Sequence, residues 1–132
     1  MTSVTLVMGS GGVGKTTVAA GVAALAARRG ARTLVITVDP ARRLADAMGV
    51  TIGNDPEPVP GSPRLDAAML DAAAAWEGIV RAHADATTAK RLVSNPYFRA
   101  IADRFPSGQA YAAGEEVLRH ARSGRYDHVV VD

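Results

Sequence analysis

The chain has 132 residues, is 48% hydrophobic and carries a formal net charge of +2. That length suits one domain with a real core, and the hydrophobic share excludes an intrinsically disordered chain. The absence of cysteine excludes disulfides, thiol redox chemistry and cysteine-ligated zinc, the scattered or paired arginines form no nucleic-acid patch, and no apolar stretch approaches the ~18 residues of a membrane span.

Residues 3–8 form a continuous apolar run, predicting a strand suited to the middle of a parallel sheet. The chain enters this strand without a charged leader, so a cytoplasmic protein is expected. The loop Gly9-Ser10-Gly11-Gly12-Val13-Gly14-Lys15-Thr16-Thr17 follows, and then an Ala-rich stretch of helical character. Strand, glycine loop and helix are the order that the phosphate-binding pattern G-x-x-x-x-G-K-[ST] requires. Gly11, Gly12 and Gly14 let the backbone turn tightly and approach a polyphosphate with no Cβ in the way. The N–H groups of residues 11–17 then form an anion nest at a helix N-terminus. Lys15 can reach the β- and γ-phosphates, the Thr16 hydroxyl can ligate the bridging Mg²⁺, and Thr17 can bond the α-phosphate. ATP and Mg²⁺ are the ligands expected here.

The first helix is predicted over residues 15–29, with Val18, Val22 and Leu25 as its apolar face and Gly30 as its stop. Residues 32–38 are a β-branched run, giving a βαβ unit. Asp39 follows. It fits the N-cap of a helix with Pro40 at N1 and Gly49 past the end, which is a structural role. Its place at the carboxyl end of a strand beside the phosphate loop suits a functional role as well.

Residues 53–63, rich in proline, read as a surface loop, and residues 65–71 as a weak third strand. Trp76, Ile79, Val80 and His83 recur at helical spacing, so the lone tryptophan reads as a core anchor. Shorter helices are expected over 87–105, interrupted at Ser94-Asn95-Pro96, with Phe98, Ile101 and Phe105 on one face. Pro106-Ser107-Gly108 breaks that pattern, and a helix over 109–123 follows with Leu118 and Ala121 inward. The last stretch, Tyr126 to Asp132, is an apolar strand ending in aspartate, the form of a second phosphate-site motif whose carboxylate holds Mg²⁺ through water. His83, His120 and His128 share no metal-ligand spacing.

Three blocks, Gly9 to Thr17, Asp39 to Gly49 and Tyr126 to Asp132, together resemble the ArsA family of ATPases. That family includes the arsenite-pump ATPase and the ATPase that targets tail-anchored membrane proteins, and it is grouped with MinD and ParA. The stretch Asp39-Pro40-Ala41 followed by Leu44-Ala45-Asp46-Ala47 looks like the family's first switch, D-P-A-x-x-L-x-D-A. The resemblance implies an α/β P-loop NTPase fold, a parallel sheet with helices on both faces, with residues 72–123 as part of a helical insertion. It implies that Asp39 orients the attacking water and that Asp132 is the outer-sphere Mg²⁺ carboxylate. It also implies a dimer and a membrane-protein client, with no nucleic acid. A MinD- or ParA-type positioning ATPase and a nonhydrolytic nucleotide-binding partner subunit are the alternatives.

The sequence departs from the family pattern in two places. Ser10 stands where the family carries a signature lysine that reaches across the dimer, so pairing with a lysine-bearing paralogue is expected. The family pattern also continues past the position of Asp132 with a second switch, adenine contacts and the rest of the helical subdomain. The resemblance therefore implies an N-terminal portion of such an ATPase, one that binds nucleotide weakly and hydrolyses it poorly.

Overall fold

The computed structural model describes residues 1–39, 42–104 and 106–132, with the side chains of Asp103, Pro106 and Ser107 left aside. In chain order the elements are β1 (Ser3–Leu6), α1 (Lys15–Arg28), β2 (Thr33–Thr37), α2 (Arg43–Met48), β3 (Glu57–Pro58) and β4 (Leu65–Met69). They continue with α3 (Ala72–His83), α4 (Ala86–Val93), α5 (Pro96–Arg104), α6 (Pro106–Arg122) and β5 (His128–Val131). Two compact units result, one of residues 1–70 with 117–132 and one of residues 71–116.

The first unit is a mixed α/β layer structure. Among the described residues its sheet has the order β1-β5-β2-β4-β3, parallel throughout except where β3 joins β4. β2 is buried along its whole length, as expected for a β-branched run between two parallel neighbours. Alternation along it feeds two cores. Leu34 and Ile36 meet Ala68, Tyr126 and Val129 on one face, with Val117 of α6 packed against them. Val35 meets Ala67, Val130 and the alanines of α1 on the other. Full burial of a side chain such as Leu34 or Ile36 contributes about 1.5–3 kcal/mol.

Several expectations are corrected here. Among the described residues β1 pairs with β5, and its Val4 and Leu6 are 44% and 61% exposed. The buried face of α1 is Ala19, Ala23 and Ala27, while Val18 and Leu25 stay half exposed. Alanines at i, i+4 and i+8 let the helix lie close on a β-branched sheet, where valine would hold it off. The proline-rich loop contributes β3 to the far edge, where Pro58 costs no ladder bond that a central strand would need. α6 begins at Pro106 instead of near residue 109, since proline is well suited to a first helical position. In that helix Ala112 and His120 are buried while Leu118 is 39% exposed.

The N-terminal ends of the central strands are tied together. Arg32 makes a bidentate bond to Asp127 at 2.7 and 3.1 Å, which holds the Asp127 carboxyl down to about 2. Tyr126 is buried and donates its hydroxyl to Asp66 Oδ2 at 2.7 Å. Burial, and then the Asp66 bond, push the Tyr126 phenol up to about 12 from its ordinary 10. Because the folded value lies above the unfolded one, this contribution is complete below pH 10 and is lost as pH rises through 12. Alkaline denaturation midpoints should show it: Tyr126→Phe is expected to flatten the stability loss between pH 10 and 12, and an unchanged slope would contradict the assignment.

The second unit is helical. Asp71 caps α3 by accepting from the N–H groups of Ala73 and Ala74, and Asp85 caps α4 by accepting from Thr88. The interruption expected at residues 94–96 is present, with the Asn95 side chain accepting from Tyr97 N–H at 2.9 Å. Trp76 stacks on Tyr111 with ring centroids 5.7 Å apart, in keeping with a packing role. Of the residues read as sharing one face with Phe98, Ile101 is 63% exposed and Phe105 lies outside the described residues. No helix among the described residues is long and apolar enough to cross a membrane.

Candidate functional site

Parallel pairing brings the carboxyl ends of β1, β5 and β2 level. Leu6 pairs with Val131 and Ile36 with Val131, so the residues that follow these strands emerge side by side. Val7 N–H bonds Val131 O at 2.9 Å and Asp132 N–H bonds Ile36 O at 2.9 Å. The loop after β1, the turn after β2 and the end of β5 thus share one edge, where open α/β sheets take their ligands.

The loop turns through Gly12 and Gly14, both with left-handed φ, at 78° and 88°. A side chain at either would be strained. At Gly9 a Cβ would sit 2.9 Å from Val13 Cγ2, so that exposed side chain would have to shift. A Cβ on Gly11 would meet nothing, so the expected need for glycine there is not one of packing. Gly14 caps α1 without any side-chain bond, and the first turn holds no acidic residue. The first intrahelical bond is Val18 N–H to Gly14 O, which leaves the N–H groups of Lys15, Thr16 and Thr17 without an intrahelical partner at the positive end of the helix dipole. Such an end suits an anion. The Lys15 ammonium curls back to donate to Ser10 O at 2.9 Å.

A cleft of about 540 Å³ runs along this edge, lined in part by Lys15, Thr16, Thr17, Asp39, Arg43 and Asp132. Residues far apart in sequence meet in it. Thr16 Oγ1 donates to Asp132 Oδ2 at 2.9 Å, across 116 positions. Thr37 Oγ1 donates to the same oxygen at 3.2 Å and accepts from Asp39 N–H at 3.1 Å. Because the Thr16 hydroxyl spends its proton on a carboxylate, its lone pairs are available to a hard cation. No group of three or more His, Cys, Asp or Glu able to hold a metal occurs among the described residues. The donor set therefore fits a Mg²⁺ held by a hydroxyl, water and ligand phosphates, rather than an all-protein cage.

Asp39 is not the N-cap of α2, which begins at Arg43 with Arg42 preceding it. Its carboxylate instead pairs with Arg43 at 3.3 Å. The N1 reading of Pro40 lies outside the described residues. Of the residues singled out from the sequence, Gly12, Gly14, Lys15, Thr16, Thr17, Asp39 and Asp132 line this cleft. Thr37 and Arg43 were missed. Thr37 was legible only as the last β-branched residue of its strand, and Arg43 as the basic residue four positions after Asp39. The histidines lie elsewhere: His83 bonds Ile79 O, His120 packs edge-on against Tyr126, and His128 bonds Thr5 Oγ1.

A parallel sheet whose first strand runs through a glycine loop into a helix defines the P-loop NTPase class. A family model described as ArsA_ATPase, an anion-transporting ATPase, matches residues 2–132, and the chain belongs to this family. It is 31% identical over 124 residues to "ATPase get3" of Schizosaccharomyces pombe, covering 94% of this chain and 37% of that protein. It is 43% identical over 63 residues to "ATPase ASNA1 homolog 1" of Paramecium tetraurelia, covering 48% of this chain and 19% of that one. The chain thus spans well under half the length of these relatives.

Proposed function

We propose that this chain forms an ATP- and Mg²⁺-binding half-site of an ArsA-type ATPase, a protein that couples ATP hydrolysis to closure of paired subunits. The observation that carries this reading is the 2.9 Å bond between Thr16 and Asp132, which joins the phosphate loop to the carboxylate at the end of β5. Lys15 and the N–H groups of residues 11–17 hold the phosphates, and Thr17 bonds the α-phosphate. Thr16 would ligate Mg²⁺, and Asp132 would hold it through water. The ion, when bound, offsets phosphate charge. Asp39 orients the water that attacks. Family membership favours this reading over a MinD- or ParA-type positioning ATPase.

Ser10 stands where the family pattern has a lysine, so we further propose that the partner subunit is a paralogue supplying that charge. Residues 72–123, by family likeness, form part of a helical subdomain that receives a membrane-protein client. Within this stretch Trp76, Phe98, Ile101 and Ala102 line an apolar cleft of about 240 Å³, which supports that use.

Asp39→Asn tests the catalytic half of the reading. With the paired ATPase assembled, this variant is expected to retain nucleotide and lose about 100-fold or more in turnover, the usual scale for a water-activating group. An unchanged rate would remove Asp39 from the mechanism.

A further inference from the structure

We propose that a second cleft, at the amino ends of the central strands, binds a small polyanion carrying two or more phosphate or carboxylate groups. This cleft has a volume of about 540 Å³, within the usual range of small-molecule sites, and Arg32, Arg64, Asp66, Arg125 and Tyr126 are among its lining. None of these residues lines the nucleotide cleft, so the inference stands independently of the nucleotide reading.

Strand register brings three guanidiniums to this place. Thr33 of β2 pairs with Leu65 of β4 on one side and with His128 of β5 on the other. The segments just before these residues therefore enter the sheet side by side, and they carry Arg32, Arg64 and Arg125 to one concavity. In the sequence the same arginines lie far apart and form no basic run.

Each cation is held differently. Arg32 is fixed, bonding both carboxylate oxygens of Asp127 and donating to Gly124 O at 3.1 Å. Arg125 lies over the Tyr126 ring, its guanidinium carbon 5.5 Å from the ring centroid. That contact orients the fork and leaves its N–H donors unused. Neither Arg64 nor Arg125 forms an ion pair among the described residues, although the field of Arg64 also reaches Asp127.

Asp66 is the carboxylate on the lining, and its Oδ2 accepts from the buried Tyr126 hydroxyl at 2.7 Å. Even with Asp127 included, the cations outnumber the carboxylates. Like charges gathered around a concavity focus a positive potential, and an anion relieves their repulsion. Guanidinium forks match the paired oxygens of phosphate and of carboxylate. Two forks without a carboxylate partner call for two anionic groups, which sets the charge of the ligand.

Amide NMR titration of the isotope-labelled 132-residue chain tests this, with citrate and inorganic pyrophosphate as the probes. Pyrophosphate is used in the Lys15→Ala background, which removes its competing hold on the phosphate loop. At least one probe is expected to saturate at millimolar concentration or below, with shifts gathered at residues 32, 64–66 and 124–127 rather than 9–17. Saturation by citrate assigns carboxylate groups and saturation by pyrophosphate assigns phosphate, and either supports the site. Arg64→Gln and Arg125→Gln should each weaken that probe about tenfold, the usual worth of one charge-assisted bond. Arg91→Gln removes the same charge from α4 and should leave the affinity within about twofold. Retained amide dispersion shows that each variant is folded. A polyanion site is excluded if neither probe saturates, if the shifts fall outside the three segments, or if Arg91→Gln weakens binding as much as Arg64→Gln. Because the nucleotide cleft is titrated separately, either site can fail without the other.

Discussion

Lys15→Ala is expected to weaken triphosphate binding by about 100-fold or more, while leaving the folded state intact. The ammonium can bond two phosphate oxygens, each charge-assisted contact is worth about 1.5–3 kcal/mol, and every 1.4 kcal/mol is tenfold in affinity. Among the described residues the Lys15 ammonium makes one hydrogen bond, to the exposed Ser10 carbonyl, so its removal takes nothing from the core. Calorimetric titration of the variant and the unmodified chain measures the ratio, and thermal midpoints within a few degrees check the fold. A loss of less than about threefold would mean that Lys15 points away from the ligand.

Thr37→Val carries the second large effect, and it acts on both stability and metal response. Thr37 is fully buried, and its hydroxyl joins the Asp132 carboxylate to the Asp39 backbone. Valine keeps the shape and removes the bond, leaving a carboxylate and an N–H each short of a partner. The cost is about 1–3 kcal/mol, measurable as a lower urea midpoint with an unchanged slope. In the same variant Thr16 is the remaining side-chain partner of Asp132 among the described residues, so the gain in nucleotide affinity on adding Mg²⁺ should shrink. Thr37→Ser, which keeps the hydroxyl, should restore both. A destabilised variant with an undiminished Mg²⁺ response would confine Thr37 to packing.

The contrast between the loop and these residues shows what the sequence makes legible. Gly9 to Thr17 is contiguous, so its chemistry and its strand-loop-helix setting can be read from nine neighbouring letters. Asp132 was legible as an aspartate closing an apolar strand. Thr37 was not, because its role exists only once parallel register sets it 3.2 Å from a residue 95 positions away. Arg43 looked like one of a pair of scattered arginines, and its 3.3 Å pairing with Asp39 appears only in the structure.

The same physics divides the fold. The long runs of β2 and β5 declared themselves through β-branched residues with no competing pattern. α1 was legible as a helix, but its buried face was not. In a stretch of alanines and valines the apolar contrast is too slight to orient a helix, and closeness to the sheet decides for alanine.

The central claim, that the loop after β1 and the carboxylate after β5 form one Mg²⁺-nucleotide site, is tested most directly by titrating the unmodified chain with a non-hydrolysable ATP analogue, with and without Mg²⁺. The account predicts saturable binding at one site, tightened by Mg²⁺ and lost in Lys15→Ala. Binding that is absent at millimolar nucleotide, or indifferent to both Mg²⁺ and Lys15, would contradict it.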